Sequence, residues 1–410
     1  MQKIILAPAA VHWATSLCHS LVRHTNSIYM NTLFIISGLL LSGYVLLLIY
    51  YSISWHQMRP FTSQATTEWV NRSLTISIII PARNEEKNLP ALLHSIQNQS
   101  YPSALLEVIL VDDHSTDATA EVVSQFPFVR YIALQDFVQD PINSYKKKAI
   151  EIGIQHSKGT LIVTTDADCF APKDWLQTIA SFYQTYQPEL IVMPVAINCG
   201  PKAIEIFQAL DFMSLQGVTA ASVYKNVHSM CNGANLAYSR KAFEAVNGFA
   251  GIDTIASGDD MLLMHKIAKK FPGGIRYLPS KSVIVQTEPV HSIGAFLNQR
   301  IRWASKADAY DDKRIFVVLI WVYLLNLALL VLPLISIIVG KGQFLKYALV
   351  LIAVKTFFEL VFLSPVAGFF GKQRMLWLFP LAQPFHILYT VLAGFLGKFG
   401  SYQWKERTVK

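Results

Sequence analysis

Val108-Ile-Leu-Val-Asp112-Asp113 and Leu161-Ile-Val-Thr-Thr-Asp166-Ala-Asp168 are two short apolar runs, each ending in a pair of carboxylates. Continuous β-branched runs of this kind read as parallel strands buried on both faces. Open α/β sheets bind ligands beyond the carboxyl ends of their strands, so acidic residues at two such ends should converge on one crevice. Residues two apart on an extended segment point the same way. Asp166 and Asp168 could therefore hold one hard divalent cation, which in turn neutralises a diphosphate. A nucleotide and its metal are expected here.

The flanking sequence supports the alternation of strand and helix. Residues 76–80 form a strand stopped by Pro81, and residues 89–99 a helix with Leu89, Leu92, Leu93 and Ile96 on one face. Asp113-His-Ser-Thr-Asp117 supplies capping residues for a helix through Val122 and Val123, and residues 148–154 read as another helix. This order implies parallel strands joined by crossover helices. No GxGxxG follows the first strand and no GxxxxGK[ST] occurs in the chain, so a nucleotide must be held without either loop.

Composition bounds the remainder. The chain has 410 residues, 52% hydrophobic and only 15% charged, which is too apolar for a purely soluble enzyme. Charge-free or nearly charge-free stretches long enough to cross a bilayer divide it. The expected layout is an N-terminal segment 1–31, a transmembrane anchor 32–54, a water-soluble catalytic block 72–312, a span at 315–340, a transmembrane or interfacial segment at 344–363, and a span at 375–397 before a basic tail 398–410. The 344–363 stretch is interrupted by Lys346, Lys355 and Glu359. Lys346 can snorkel, and Lys355 can pair with Glu359 one turn later. The anchor starts too far in and is too long for a cleaved signal peptide. Cys18, Cys169, Cys199 and Cys231 show no CxxC spacing, which argues against a zinc site and a disulfide framework. The net charge of +8 is scattered and often flanks apolar spans, where anionic lipid is the simpler partner, so no nucleic acid is expected.

Several ordered motifs carry a family resemblance over residues 75–305. Ile80-Pro81-Ala-Arg-Asn84-Glu85, Val111-Asp112-Asp113-x-Ser115-Thr-Asp117, Lys146 three before Ala149, and Asp166-Ala-Asp168 come first. Asn232-Gly233-Ala-Asn235, Gly258-Asp259-Asp260 and Gln299-Arg300-Ile-Arg302-Trp303 follow. In this order they resemble the family 2 glycosyltransferases, and especially their membrane-bound branch with a Gln-x-x-Arg-Trp motif. The resemblance implies an α/β, GT-A nucleotide-sugar-binding domain with a Rossmann-like, mostly parallel sheet, here joined to about four transmembrane helices. It also implies that Pro81, Asn84, Glu85, Asp112, Asp113, Lys146 and Asp166 bind the donor, that Asp168 with Asp166 holds Mg2+ or Mn2+, and that Asp259 and Asp260 are catalytic. Gln299, Arg302 and Trp303 are placed at the acceptor and diphosphate end. This sequence departs from the family at His114 and Tyr145, where glycine is usual, and at Asp259, where glutamate is common.

The chemistry fits these residue types independently. Transfer of a sugar from a nucleotide diphosphate develops charge on the leaving phosphate, which a cation on Asp168 and Asp166 stabilises. Within the acidic pair, repulsion and desolvation should raise one pKa, and Asp260 is expected to deprotonate the acceptor hydroxyl in a single inverting displacement. The bland alternatives are that Asp112-Asp113 and Asp259-Asp260 cap turns or helices, that Lys146 to Lys148 is a solvated face, and that Arg300, Arg302 and Trp303 mark a membrane boundary. The expected protein is an integral membrane glycosyltransferase in the cell (inner) membrane with its catalytic block in the cytoplasm. Its donor is a nucleotide diphosphate sugar, UDP-linked, and its acceptor a polysaccharide or a lipid-linked acceptor. The alternatives are single-sugar transfer to a membrane lipid, a metal-dependent nucleotidyltransferase, and a non-catalytic protein retaining the fold. One conflict remains in the sequence: four spans put both termini outside, whereas the basic tail favours the inside, so either 344–363 lies in the interface or re-enters, or the tail defies the rule.

Overall fold

The computed structural model of this chain describes residues 8–62, 74–227, 230–306, 312–399, 402–404 and 407–409. Residues 1–7 of the N-terminal segment, and Lys405 and Lys410 of the tail, lie outside the described residues.

One helix, α1 (Pro8–Gln57), precedes the α/β block, and the boundary expected at residue 32 falls within it. The block then runs β1 (Ile76–Ala82), α2 (Leu89–Gln97), β2 (Leu106–Asp112), α3 (Thr119–Ser124), β3 (Val129–Ala133), α4 (Tyr145–Gln155) and β4 (Leu161–Thr164). It continues through β5 (Cys169–Phe170), α5 (Trp175–Tyr186), β6 (Leu190–Val192), β7 (Val195–Ile197), α6 (Ala203–Tyr224), β8 (Leu236–Ser239), α7 (Arg240–Ala245) and α8 (Met261–Lys270). Next come β9 (Ile275–Tyr277), β10 (Val285–Thr287) and α9 (Ile293–Ala304). The C-terminal third holds α10 (Lys313–Val339), α11 (Gln343–Phe370), α12 (Phe379–Phe399) and a two-strand ribbon of β11 (Tyr402–Trp404) and β12 (Arg407–Val409).

Among the described residues the main sheet has seven strands in the order β3-β2-β1-β4-β8-β6-β9. β1 pairs in parallel with β2 and β4, and β8 is antiparallel to β4 and β6. The fold is thus α/β with a mixed, mostly parallel sheet, and a small sheet of β5, β10 and β7 stands beside it. Residues alternate along each strand into two cores. Ile76, Ile78 and Ile80 meet α2 and α5, while Ile79, Ile109 and Ile162 meet α4 and α8. Burial on both faces is why these strands read as continuous apolar runs. The order turns outward on either side of β1, so the crevice of a doubly wound sheet opens between β1 and β4.

Four helices among the described residues are long and apolar enough to cross a membrane, at Met30–Gln57, Lys313–Val339, Gln343–Phe370 and Gln373–Phe399. The charges inside α11 are satisfied internally. Lys355 Nζ lies 2.7 Å from Glu359 Oε1 and donates to Gln383 Oε1 at 2.8 Å, Gln383 donates to Glu359 Oε2, and Tyr44 donates to Glu359 Oε1 at 2.6 Å. Polar groups inside an apolar bundle persist when they pair in this way.

Candidate active site

β1 and β2 and the turn after β4 deliver their ends to one cleft. Pro81, Arg83, Glu85 and Asp113 form one wall, Lys146, Asp166 and Asp168 the floor, and Ser257, Asp259 and Arg302 the far side. Neighbouring residues of each motif divide the work. Asp113 lines the cleft, whereas Asp112 turns away, accepting from the Ser115 N–H at 3.0 Å and the Tyr131 hydroxyl at 2.7 Å. Asp113 Oδ1 lies 2.9 Å from His114 Nδ1, and the Arg83 guanidinium donates to the Asp113 carbonyl at 2.8 Å. His114 has φ +56°, a left-handed conformation, which explains why glycine is usual at this position. Asn84, also left-handed at φ +53°, is exposed and holds the rim by accepting from the Thr116 N–H at 2.8 Å. Glu85 lines the cleft and accepts from Asn88 at 2.8 Å.

Lys146 is the hub of the floor. Its Nζ lies 2.7 Å from Asp166 Oδ1 and 3.2 Å from Asp259 Oδ2. Burial works against its charge, but Asp166, Asp259 and Asp260 outweigh that cost and hold the ammonium above the ordinary lysine value. Burial likewise pushes the Asp259 carboxyl upward, and Lys146, Lys306 and Lys147 more than reverse it, so Asp259 stays below the usual carboxylate range. The rise expected from repulsion within the acidic pair is therefore absent at Asp259, because a lysine stands against it. The glycine at 233 is required by this crowding: a Cβ there would stand 2.9 Å from Asp259 Oδ2 and 3.4 Å from Lys146 Nζ.

Asp260 faces the other way. Its Oδ1 accepts from the Met261 N–H at 2.7 Å, its Oδ2 from the Gly233 N–H at 3.2 Å, and Lys306 Nζ lies 4.0 Å away. Asp260 thus caps α8 and, unlike Asp259, is not among the residues that line the cleft, although each of its carboxylate oxygens keeps a second lone pair. Asn235 is wholly buried and binds the Pro194 and Val283 carbonyls while accepting from Trp175 Nε1, so it joins strands rather than facing the cleft.

The motif on α9 also splits. Arg302 lines the cleft. Arg300 is buried, paired with the buried Asp211 at 2.7 Å, and lies over the rings of Phe296 and Trp303 at 4.6 and 4.2 Å. Gln299 accepts from Arg300 at 3.0 Å, and the Trp303 ring packs on Phe212 at 6.0 Å between centroids.

The donor set suits a divalent ion. Asp166 and Asp168 are hard oxygen donors side by side at the floor, and neither is deeply buried. Among the described residues no three His, Cys, Asp or Glu groups cluster with metal-site geometry. Two carboxylates nonetheless suffice for an ion that takes its other ligands from phosphate and water.

Sequence reasoning missed Arg83, Lys147, Arg300 and Lys306. Lys147 is 1% exposed and donates to the carbonyls of Ile255 and, at 2.8 Å, Ser257. Ser144 on the same helix start donates to the Asp253 carbonyl, so α4 clamps the loop that presents Asp259. Burial pushes the Lys147 amine down to about 8 against the pull of Asp259. A lysine triplet gives no sign of this, because consecutive residues on a helix point about 100° apart and only packing says which is inward. Arg83 directly follows β1, and a cation at a strand end beside acidic motifs is the signal that marks it.

Comparison with known proteins converges on the same segment. Residues 77–246 match the family model for glycosyl transferase family 2. Glycosyltransferase AglE of Haloferax volcanii is 25% identical over 257 residues, 60% of this chain and 79% of AglE. The 4,4'-diaponeurosporenoate glycosyltransferase of Staphylococcus aureus is 38% identical over 171 residues, 41% of this chain but only 42% of its own length. In fold, the chain is similar to the mannosyltransferase PcManGT of Pyrobaculum calidifontis, solved with GDP-Man and Mn2+, at a TM-score of 0.53 and 19% identity, covering 89% of this chain and 98% of that one. The matched residues are those that build the cleft floor and its first wall, and over them the chain is similar to glycosyl transferase family 2, on a GT-A fold.

Proposed function

We propose that the protein is a membrane-anchored, inverting glycosyltransferase that moves one sugar from a nucleotide diphosphate donor to a hydroxyl of a lipid acceptor. The observation that carries this reading is the position of α9. Arg302 on this helix lines the donor cleft, while the same helix packs along α12 beside the apolar helices. The cleft therefore meets the membrane, and a lipid-borne hydroxyl can reach it from there.

In this reading Asp113 binds the nucleoside, and Arg83, Lys146 and Arg302 supply cationic groups for the diphosphate. Asp166 and Asp168 would hold Mg2+ or Mn2+, which when bound offsets the charge of the leaving diphosphate. Asp259 is committed to Lys146 and is a weak base. Asp260 is the next residue, held by the Gly233 N–H with Lys306 nearby. It takes the acceptor proton as the oxygen bonds to the anomeric carbon. The bond to the diphosphate oxygen breaks with its electron pair, and the configuration inverts.

A processive polymerase would use the Trp303 ring as a sugar platform, but Arg300 covers that ring at 4.2 Å. The staphylococcal relative is also named for a single non-glycan compound, 4,4'-diaponeurosporenoate. The catalytic block is assigned to the cytoplasmic face of the cell membrane, where nucleotide sugars are made. Membranes incubated with a panel of labelled UDP- and GDP-sugars test the reading. A lipid-extractable product of one fixed mass is expected, and a size ladder from one donor would replace it with the polymerase.

A further inference from the structure

The conflict between four spans and a basic tail has a structural answer in α12. Helices α1 and α11 run parallel, side by side. Phe34 packs on Tyr347 at 4.4 Å, Tyr44 binds Glu359, Tyr51 packs on Phe362 at 6.2 Å and Trp55 on Phe369 at 5.7 Å. The intervening α10 runs the opposite way, with Trp321 donating to the Leu40 carbonyl at 2.8 Å. Phe369 thus ends beside Trp55, next to the point where α1 meets the α/β block. The Tyr224 hydroxyl of α6 binds the Gln57 carbonyl at 3.1 Å there.

From that side α12 dips only part-way, where Gln383 bonds Lys355 and Glu359 of α11 and Gly394 lies against Tyr323 of α10, and returns. Its start, Phe379, lies in one buried cluster with Leu210 and Met213 of α6. Its middle keeps the contact, since Phe385 packs on Phe207 at 4.6 Å and the Tyr389 hydroxyl binds Asp211. Its end reaches the cleft side of α9: a Cβ on Gly397 would stand 2.7 Å from Ala304 Cβ and 3.1 Å from Ser305 N. The next residue, Lys306, approaches Asp260. A helix of this length that crossed the bilayer would put its far end about 30 Å from its start along the membrane normal. Here both ends rest on the α/β block.

The opposite face of α12 is apolar and bare. Leu381, Leu388, Leu392, Phe395 and Phe399 are 78%, 41%, 40%, 55% and 73% exposed, and their spacing of 7, 4, 3 and 4 puts them on one stripe. Trp377, 87% exposed, stands just before it, where an interfacial aromatic belongs. By composition this segment is the least apolar of the four candidate spans.

We propose that α12 is an in-plane helix whose apolar stripe lies in the lipid leaflet facing the catalytic block, so that the described chain crosses the membrane by α1, α10 and α11 only. The C-terminal residues then share the side of the cleft. Lys398 and Arg407 then lie where positive charge is favoured. The helix seats α9 at headgroup depth, which holds Arg302 and the end of the donor cleft where a lipid acceptor arrives. This inference rests on the reading of α1, α10 and α11 as spans and on the membrane-bound transferase proposed above.

Paired alkaline phosphatase and green fluorescent protein reporters, placed after Lys410, in the turn at Lys341 and after Met1, test it in fusions that retain transfer activity. The expected pattern puts the Lys410 reporter on the cytoplasmic, cleft side and the Lys341 and Met1 reporters on the other. A Lys410 reporter on the side of Lys341 overturns the in-plane helix and leaves the spans intact. A Lys341 reporter on the cleft side overturns the spans themselves, and the in-plane assignment with them. A short epitope after Lys410, digested by protease in inside-out vesicles, repeats the measurement without a folded fusion: cleavage supports the proposal and protection refutes it.

Discussion

Arg300→Met separates the two arginines of the α9 motif by their physical roles. The guanidinium of Arg300 and the carboxylate of Asp211 are 4% and 3% exposed and 2.7 Å apart. Removing one partner of such a pair leaves the other charged and buried, at a cost of about 3–5 kcal/mol. The Tyr389 hydroxyl still donates to Asp211, which puts the expected loss at the lower end, about 3 kcal/mol. Methionine keeps most of the aliphatic volume between Phe296 and Trp303, so packing loss adds little. For a domain of this size each kcal/mol moves the melting temperature by about 2–4 °C, giving a fall of about 6–12 °C. Thermal unfolding of the detergent-solubilised protein, followed by tryptophan fluorescence, measures it. Adding Asp211→Leu should restore most of the loss, because the stranded charge is gone. A single Arg300→Met variant melting within about 2 °C of the wild type, or a double variant no better than the single, would refute a buried structural ion pair and return Arg300 to the site.

Further expectations follow from the cleft. Asp168→Asn should weaken nucleoside diphosphate binding in the presence of Mn2+ by about tenfold or more, read by isothermal titration, since one anionic ligand is lost; equal affinity would move the metal elsewhere. Asp260→Asn should keep donor affinity and lower transfer by about 100-fold, whereas Asp113→Ala should show the reverse pattern; transfer near wild type in Asp260→Asn would leave that residue a helix cap only. For Lys147 the folded pKa of about 8 lies below the ordinary lysine value. The unfolded chain then binds more protons between about pH 8 and 10.4, and stability must rise with pH in that window. Wild type should gain about 2 kcal/mol over Lys147→Met between pH 7 and 10 in denaturant titrations, and a loss in that interval contradicts the burial of a charged amine.

The sequence by itself determined the kind of fold and the place of the cleft. β-branched runs such as 108–111 and 161–164 can be buried on both faces only in a sheet covered by helices, and their acidic ends can meet only at its carboxyl edge. Local chemistry settles such matters, because each strand carries its own burial pattern. Which member of each pair faces the cleft was decided by tertiary structure alone. Asp113 and not Asp112 lines it, because the Tyr131 hydroxyl from β3 holds Asp112 away. Lys146 reaches the carboxylates while Lys147 turns beneath a loop 108 residues further along, a contact that no local pattern announces. Arg300 and Arg302, two positions apart, part company because one meets Asp211 from α6 and the other the cleft. The same holds for α12. Its length and apolarity fit a span, and contacts with α6 and α9, each some 90 to 180 residues away in sequence, tie its middle and its end to the catalytic block. Strand burial is written in neighbouring residues, whereas the direction of a single side chain or helix depends on partners that the chain brings together only on folding.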